Sequence, residues 1–376
     1  MTDPVRRTRV LMVDHSAHPG GGQLGMLRYL RGTNDTDVEL VFLTGGPLID
    51  DFRATGRKVS VLDDTRDFAL PQTFALARRL DGFLKNQNDF DVIVANSLYA
   101  GFALATVRTF RRSLPTLAYY SRVSMDSLRN HKRAVAMTGA FPRFDAFIAN
   151  SEWTASCIPE RLGGPRHVAY PVCGINEAER SIARKDPCSQ PAIRIATFSR
   201  PEPWKGLDLL IEATTDFGTR FADREITLDL YGGGFFSDPD YLASLDTLAE
   251  SSSIPVRRRG HIDNVLEELR SVDILVIPTR QPEPFGQVAA QGLSQGCVVI
   301  ASDEGGLLEI IQHDETGLLF KSRDVADLRK NLVDIINDPA KAARLSASAR
   351  QSAARFDDTA TIGMLTRAID EIAAGR

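Results

Sequence analysis

Short apolar runs alternate with stretches of helical periodicity along most of the chain. In the first half, apolar runs of four to six residues predict strands, and helical patterns lie between them, most clearly at 23–31 and 73–84. The predicted strands are 9–13, 38–43, 59–62, 92–95, 116–120 and 146–149. Apolar strands separated by helices are typical of a parallel sheet covered on both faces, so this half predicts one doubly wound, Rossmann-like domain.

The same pattern restarts after a polar segment, 180–191, that contains Pro187 and Pro191 and is the best candidate for a linker. The strands predicted after it are 193–198, 227–231, 256–259, 272–278 and 297–301. Helices are predicted from about Leu207 and directly after Gly286, and an amphipathic helix is predicted near the end, at 359–374. The second half therefore predicts a second Rossmann-like α/β domain.

Length and composition agree with two globular domains. The chain has 376 residues, of which 43% are hydrophobic and 25% charged, as expected for a soluble protein. The apolar runs are all shorter than the roughly 18 to 20 residues of a membrane span, and Met1 to Arg7 lead into a strand without the apolar core of a signal peptide. These features predict a cytoplasmic protein.

The cysteines and charges narrow the chemistry further. Cys157, Cys173, Cys188 and Cys297 form no Cys-x-x-Cys pair, so neither a zinc ribbon nor a redox motif is predicted. Residues 1–170 carry 22 Lys and Arg against 17 Asp and Glu, whereas the whole chain has 45 against 49. A basic first half suits an anionic acceptor or membrane surface, although an ordinary solvated face is the commoner explanation.

The segment from Glu283 to Gly292 is the most informative in the chain. It places a carboxylate on a loop that follows a predicted strand and opens a helix, and the free amides of a helix start bind phosphate. With Glu-Pro-Phe-Gly at 283–286, the sequence resembles the retaining glycosyltransferases of the GT-B fold, especially glycosyltransferase family 4, whose signature is Glu-x7-Glu. The segment from Arg200 to Gly206 is similar to the family's Arg-x4-Lys-Gly.

The resemblance implies a GT-B architecture, in which two Rossmann-like doubly wound parallel-sheet domains face one cleft. It implies an N-terminal acceptor-side domain at 1–178, a linker at 179–191 and a nucleotide-sugar-binding domain at 192–355. The remaining residues, 356–376, would form a C-terminal helix that packs back on the first domain.

The resemblance also implies an activity: a hexosyl group moves from a nucleotide-diphosphate sugar to an acceptor hydroxyl with retention of configuration. The acceptor would be a glycan, a glycolipid or a small molecule, and neither a metal, a cofactor nor a nucleic acid would take part. Glu283, Arg200 and Lys205 would be catalytic, because Glu283 would hold a donor hydroxyl and the two cations would stabilise the departing diphosphate. The implied donor-binding residues are Gly21, Gly22, Arg200, Lys205, Gly232, Gly233, His261, Ile262, Glu283, Pro284, Phe285, Gly286, Gln287 and Gln291.

Two departures from the family pattern keep other functions open. Gln291 stands where the family has its second glutamate, and an amide offers one acceptor oxygen to the ribose hydroxyls where a carboxylate offers two. Gln287, four residues earlier on the same helix face, could share the ribose. The family's histidine is also missing from 118–126, where Arg122 or Asp126 could face the cleft instead; the next histidine is His131. The alternatives are a non-catalytic nucleotide-sugar- or partner-binding relative and another GT-B enzyme, an epimerase or a phosphorylase.

Two further sequence features are less specific indicators of function. The glycines from Gly20 to Gly25 satisfy Gly-x-Gly-x-x-Gly, but six residues separate them from the predicted end of the first strand at Val13, which argues against a dinucleotide site. They resemble the family's Gly-Gly stretch instead, which faces the donor phosphate. Arg108, Arg111 and Arg112 form a basic, partly apolar stretch that could contact anionic lipid at the inner face of the membrane.

Overall fold

The computed structural model describes residues 6–63, 70–85, 87, 89–111, 113–123, 139, 141–233 and 238–375. The chain divides into two units, of which the first comprises residues 1–172 and 358–376 and the second comprises residues 173–357. No helix in the described part of the chain combines the length and the apolar character needed to cross a bilayer.

The first unit is built on a sheet whose seven described strands are all parallel, in the order β3-β2-β1-β4-β5-β6-β7. The strands are β1 (Arg9–Ser16), β2 (Asp37–Thr44), β3 (Val59–Asp63), β4 (Val92–Ala95), β5 (Thr116–Ser121), β6 (Ala146–Ala149) and β7 (Arg166–Val168). The described helices are α1 (Gly21–Gly32), α2 (Ile49–Arg53), α3 (Leu70–Leu84), α4 (Leu98–Phe110), α5 (Glu152–Ser156) and, from the end of the chain, Asp358–Ala373. Short 3-10 turns lie at Phe141–Arg143 and Glu160–Leu162.

Alternation along the strands explains why helices cover both faces of this sheet. Leu11 and Val13 point into a core that contains Leu80 of α3 and Leu104 of α4. Val10 and Met12 point to the opposite face and pack in a second core, with residues of α1 and of the last helix. A strand buried on both faces needs an apolar residue at nearly every position, which is the pattern that predicted the strands.

The second unit contains a sheet whose six described strands are parallel in the order β10-β9-β8-β11-β12-β13. The strands are β8 (Ala192–Phe198), β9 (Glu225–Tyr231), β10 (Val256–Gly260), β11 (Ile274–Ile277), β12 (Val298–Ser302) and β13 (Leu318–Phe320). The helices are α6 (Glu177–Ser181), α7 (Leu207–Thr214), α8 (Phe217–Arg220), α9 (Pro239–Glu250), α10 (Val265–Leu269), α11 (Gln287–Ser294), α12 (Leu307–Ile310), α13 (Val325–Asn337) and α14 (Pro339–Ser352). The helix of the first unit at Asp358–Ala373 is α15, and 3-10 turns lie at Pro203–Lys205 and Ala353–Phe356.

The predicted fold class is confirmed, with two strands added. β7 and β13 have only three residues each, too few for a recognisable apolar run. The first strand also continues past its predicted end to Ser16, because Asp14 and Ser16 keep pairing with β2. Three residues, not six, therefore separate β1 from Gly20, so the predicted spacing was wrong.

The segment predicted as a linker is packed on the second unit. Arg184 donates from Nη1 to the carbonyl oxygen of Gln295 and from Nη2 to that of Val272, each over 2.8 Å. Arg180 forms an ion pair with Asp357 at 2.7 Å. The polar composition of 179–191 thus reflects side chains that bind this unit. The boundary between the first and second units falls between residues 172 and 173, whereas the sequence predicted the end of the first domain at 178.

The C-terminal helix packs on the first domain, as predicted. The hydroxyl groups of Tyr29 in α1 and Thr366 in α15 lie 3.2 Å apart, and Leu365, Ile369 and Ile372 are buried. This part of the first unit begins at Asp358, two residues after the predicted boundary, since Asp357 is held by Arg180 of the second unit.

Candidate functional site

An ion pair joins two loops at the carboxyl edge of the second sheet. Lys205 follows β8, Glu283 follows β11, and Lys205 Nζ lies 2.6 Å from Glu283 Oε2. The strand order reverses between β8 and β11, and open parallel sheets bind their ligands outside the strand ends at such a point. The structure therefore brings two of the three predicted catalytic residues together where this fold binds ligands.

The pair is shielded but accessible. The side chains of Lys205 and Glu283 are 15% and 17% exposed, and Lys205 Nζ also lies over the ring of Trp204, 4.0 Å from its centre. Water screens such partly buried charges less than surface charges, and a cation over an indole face gains further stabilisation. A ligand that replaces either partner must therefore offer a comparable charge.

The Lys205 turn is fastened to the β11 loop by residues that the sequence did not single out. The main-chain N–H of Arg280 donates to the carbonyl of Trp204 over 2.7 Å, and Arg280 Nη1 donates to Asp208 over 2.6 Å. Burial opposes ionisation of Asp208, but hydrogen bonds from Arg280 and Tyr241 outweigh it and hold the pKa of Asp208 below its ordinary value. The available signal was an arginine three residues after the end of an apolar strand.

Gly206 allows the close approach of these two loops. Its φ is +68°, in the left-handed region, and a Cβ there would overlap the carbonyl oxygen of Pro278. The glycine of the Arg-x4-Lys-Gly segment therefore has a packing role that positions Lys205.

Arg200, the third predicted catalytic residue, lies on the same loop as Lys205 and is exposed. Its Nη1 is 2.9 Å from Glu202 Oε1, and Glu202 also accepts a hydrogen bond from the indole N–H of Trp204. The guanidinium is thus held near the Lys205 turn by one solvent-accessible carboxylate, and a bound anion could take its place.

The predicted glycines after β9 lie where the chain passes close to β8 and β10. Gly232 has φ +133°, and a Cβ there would overlap the carbonyl oxygen of Ser199. A Cβ on Gly233 would lie 3.3 Å from His261, which is exposed and 3.6 Å from Asp263. Ile262 is half-buried beside it. The structure places these four predicted donor-binding residues in two neighbouring loops, and Gly234 lies outside the described residues.

The main chain from Glu283 to Gly286 is held by the loop after β12. Gly305 pairs with Glu283 in an isolated parallel bridge, and the N–H of Gly306 donates to the carbonyl of Glu283 over 2.7 Å. Gly305 has φ +74°, which glycine adopts without strain. The turn at Gly305 and Gly306 is thus a scaffold for the Glu283 loop.

The start of α11 can offer main-chain groups but not the Phe285 side chain. Phe285 is buried and packs edge-on against Phe356, with ring centres 5.8 Å apart. Pro284 is half-buried, and Gly286 precedes the helix with φ +100°. This left-handed φ favours glycine at the entry into the helix, where a Cβ would also crowd a methyl carbon of Leu307 at 2.6 Å. In the first turn the N–H of Ala289 donates to the carbonyl of Gly286 over 2.8 Å, and the amides of Gln287 and Val288 before it are suited to a phosphate.

Gln291 is buried, with 2% of its surface exposed, and its Nε2 donates to the carbonyl oxygen of Cys173 over 2.7 Å. A glutamate carboxylate cannot make this bond because it has no hydrogen to donate at neutral pH. The bond gives a physical reason for glutamine at this position in this chain. Among the described residues no donor reaches Oε1 of Gln291. Gln287, one turn earlier in the helix, is half-buried.

The first sheet has its own polar cluster at the corresponding edge, which the sequence did not reveal. Asp14 of β1 is buried and accepts hydrogen bonds from His15 Nδ1 at 2.8 Å, Asn96 Nδ2 at 2.6 Å and Gln23 Nε2 at 3.2 Å. Burial opposes its ionisation, but the bonds from His15 and Asn96, with the charges of His15 and Arg122, hold the pKa of Asp14 below its ordinary value. The sequence signal was Asp-His directly after an apolar run.

The other candidate site residues of the first domain lie on different elements, and some lie outside the described residues. Gly21 and Gly22 form the first turn of α1. Arg122 follows β5 and is half-buried, whereas Asp126 and His131 lie outside the described residues. In the described part of the chain, no three His, Cys, Asp or Glu side chains are grouped closely enough to hold a metal ion.

Solved structures with the same fold cover nearly the whole chain. The crystal structure of Anabaena Alr3699/HepE in complex with UDP and glucose has a TM-score of 0.81 at 22% identity, over 97% of this chain and 100% of that one. Sucrose-phosphate synthase from Thermosynechococcus elongatus has a TM-score of 0.77 at 17% identity, over 98% and 100%. With two parallel Rossmann-like sheets, this protein has the GT-B fold.

Sequence comparison identifies the family of the second domain. Residues 181–352 match the family model of the glycosyl transferases group 1, so the resemblance seen at Arg200–Gly206 and Glu283–Gly286 is confirmed. The D-inositol 3-phosphate glycosyltransferase of Rhodococcus jostii is 29% identical over 186 residues, covering 47% of this chain and 40% of that protein. The glycogen synthase of Mycobacterium tuberculosis is 31% identical over 196 residues, covering 51% and 45%. The matches span about half the length of these relatives or less.

Proposed function

We propose that this protein is a retaining glycosyltransferase that moves a hexosyl group from a nucleotide-diphosphate sugar to an acceptor hydroxyl. The observation that carries the proposal is the Lys205–Glu283 pair, which lies at the switch point of the second sheet within the matched family region. The UDP complex of the Anabaena protein favours a UDP-sugar as donor.

The donor would be held by groups that complement its charge. Lys205, Arg200 and the first amides of α11 would bind the diphosphate, and Glu283 would then accept a hydrogen bond from a hydroxyl of the donor sugar. The main chain beside Gly233 and His261 would contact the nucleobase, with Ile262 beside it. Gln287 and the Oε1 of Gln291 would share the ribose, since the Nε2 of Gln291 is already bonded.

The transfer itself requires a balanced exchange at the anomeric carbon. The bond from this carbon to the diphosphate oxygen breaks, and its electron pair leaves with the nucleoside diphosphate. The acceptor oxygen forms the new bond on the same face, and its proton passes to the departing phosphate oxygen. Fixed cations that meet the charge developing on the diphosphate lower the barrier, and in this proposal they make a metal ion unnecessary.

The test is a calorimetric screen of the purified full chain against UDP-, GDP- and dTDP-sugars, followed by NMR of the product formed with an acceptor panel in the presence of EDTA. We expect a UDP-sugar to bind and the product to keep the donor's anomeric configuration. Lys205→Met should lose binding, whereas the control Lys330→Met, on the exposed face of α13, should not. Absence of binding by every donor would refute the proposal, and binding without transfer would favour the non-catalytic alternative.

We also propose a peripheral contact with anionic membrane on the cytoplasmic side, for which Phe110 is the specific observation. Phe110 ends α4 and is 85% exposed. Its basic neighbours are largely neutralised, because Arg108 pairs with Asp145 at 3.1 Å and Arg111 with Asp81 at 3.3 Å, while Arg112 lies outside the described residues. An exposed phenyl ring suits the boundary between headgroups and acyl chains.

Flotation with liposomes that contain anionic lipid tests this contact. Phe110→Ser should reduce the floated fraction several-fold. The control Phe74→Ser changes another exposed ring, which is 53% exposed and packs on Phe102, and should have little effect. If wild-type protein stays in the bottom fraction at low salt, the membrane proposal is wrong.

A further inference from the structure

The segment from His261 to Asp263 links β10 to α10 and has little packing of its own. The side chains of His261 and Asp263 are exposed, and Ile262 between them is half-buried. A loop with few buried contacts keeps one conformation only where its ends are fixed. Both ends of this segment are fixed by contacts with β9, and Tyr231, the last residue of β9, lies at each of these contacts.

The N-terminal end of the segment is held by the main chain beside Tyr231. Gly260, the last residue of β10, pairs with Tyr231 in the sheet, and its carbonyl oxygen accepts from the N–H of Gly232 over 2.8 Å. Arg259, the residue before it, donates from Nε to Asp229 of β9 over 2.8 Å, and Asp229 is buried. The segment therefore leaves the sheet from a fixed point.

The C-terminal end of the segment is held through α10, which begins at Val265. The side chain of Asn264 caps this helix by accepting from the N–H of Glu267 over 3.2 Å. The next residue, Glu268, accepts a hydrogen bond from the Tyr231 hydroxyl, with 2.5 Å between the two oxygens. One tyrosine of β9 thus contacts the helix that follows the segment as well as the strand that precedes it.

The Tyr231 side chain is itself fixed from two directions. Its ring lies parallel to that of Phe198 at the end of β8, with 4.4 Å between the ring centres and 6° between the planes. Arg194 of β8 donates to the same hydroxyl and, over 2.6 Å, to Glu268. Burial, and after it the hydrogen bond to Glu268, raises the pKa of Tyr231 to about 12, whereas the bonds from Tyr231 and Arg194 hold the pKa of Glu268 below its ordinary value. At neutral pH a protonated hydroxyl therefore donates to an ionised carboxylate, which makes a strong hydrogen bond.

We propose that Tyr231 and Glu268 are positioning residues, which hold the segment 261–263 in the conformation that receives the nucleobase of the donor. The assignment of the nucleobase to this segment rests on the proposed function, whereas the holding of the segment does not. Main-chain groups bind a base best when their positions are fixed before it arrives, because ordering them on binding costs affinity. Tyr231→Phe keeps the stacked ring and removes the hydroxyl, so this variant separates positioning from packing.

The experiment compares two ligands by calorimetry on the full chain. UDP carries the base, whereas inorganic pyrophosphate can occupy only the part of the site that binds the diphosphate. Tyr231→Phe should weaken the binding of UDP about five- to tenfold, because a charge-assisted bond that ordered the segment is lost, and should change that of pyrophosphate by less than about twofold. Glu268→Ala should give the same split. Tyr29→Phe, the control, removes a hydroxyl that contacts Thr36 and Thr366 in the first unit and should bind both ligands as wild type does.

Amide hydrogen exchange tests the C-terminal end of the segment without any ligand. The N–H of Glu267 bonds to the cap residue Asn264, so its exchange rate reports whether the helix start that ends the segment stays in place. This N–H should exchange faster in Tyr231→Phe than in wild type. The matched control is the N–H of Asp327, which bonds to the cap residue Asp324 of α13 and should exchange at an unchanged rate.

A ratio of UDP to pyrophosphate affinity that is unchanged in Tyr231→Phe, or an unchanged exchange rate at Glu267, would overturn the proposal. The proposed function fails separately, when wild type binds no nucleotide and transfers no sugar. Exchange at Glu267 then decides alone whether Tyr231 holds the segment. Should Tyr231→Phe not fold, Glu268→Gln removes the charge of the acceptor, keeps a side chain of the same length and gives the same comparison.

Discussion

The two sheets place polar side chains at equivalent edges, yet the charges there are arranged differently. In the second domain Lys205 pairs with Glu283 and Arg280 pairs with Asp208, so each cation already has a carboxylate partner. In the first domain Asp14 is fully occupied by neutral and histidine donors, while Nε and Nη1 of Arg122 have no hydrogen-bond acceptor among the described residues. A paired site must exchange partners when a ligand arrives, whereas an unpaired cation gains its first partner. The same fold thus surrounds the cations at its two sheet edges differently.

The largest expected effect comes from breaking the paired site. Lys205→Met should lower kcat/KM for transfer by about 100- to 1000-fold, because one fixed cation is lost where charge develops on the leaving diphosphate. Steady-state kinetics with the best donor measures this effect, and Lys330→Met is the control. A loss below fivefold would mean that Lys205 serves mainly to hold Glu283 in place.

Gln291→Glu tests whether the glutamine is there for structure. At neutral pH the variant loses the bond to Cys173 and buries a carboxylate against a carbonyl oxygen, so unfolding free energy should fall by about 1 to 3 kcal/mol. Urea denaturation measures the free energy of unfolding. The control is Gln287→Glu, at a half-buried position one turn earlier in the helix. The loss of unfolding free energy in Gln291→Glu should shrink as pH falls, since a protonated carboxyl can donate a hydrogen bond again. An equal loss in Gln291→Glu and Gln287→Glu would contradict the structural explanation.

Asp208→Asn weakens the connection that holds the Lys205 turn to the β11 loop. The substitution should lower the free energy of unfolding by about 1 to 2 kcal/mol at neutral pH. This is less than the loss expected for a fully buried ion pair, because the carboxylate is partly exposed. Since the folded-state pKa of Asp208 is depressed, its stabilisation is present above its unfolded pKa and is lost as pH falls through the folded value. Denaturation curves from pH 7 to pH 3 should therefore converge for wild type and variant. A constant difference would assign the effect to packing instead.

The smallest expected effect is on the stability of Arg122→Met in phosphate-free buffer. Removing a guanidinium whose Nε and Nη1 have no acceptor in the described part of the chain should change the free energy of unfolding by less than about 1 kcal/mol, or raise it. Thermal denaturation of wild type and variant measures this change. A large loss would show that the cation–π contact with Tyr120 supports the fold, and the cations at the two sheet edges would then differ less in what they contribute.

Several elements could be predicted because their signals are local. The strands at 92–95 and 146–149 agree with the structure at both ends, since each is a continuous apolar run. The Glu283 and Lys205 loops were recognised from residues adjacent in sequence. Asp208, Arg280 and Asp14 were missed because their partners lie far away along the chain, and β13 was missed because it contains only three residues.

The sequence by itself determined the fold class, the family of the second domain and the loops that carry Lys205 and Glu283. These follow from apolar periodicity and from short motifs, which depend only on neighbouring residues. The tertiary structure alone decided that the 179–191 segment is packed and that Gln291 is bonded to Cys173. It also decided that two buried nitrogens of Arg122 have no acceptor within the described ranges. Hydrogen-bond satisfaction depends on which distant groups the fold brings within about 3 Å, and no local pattern encodes that distance.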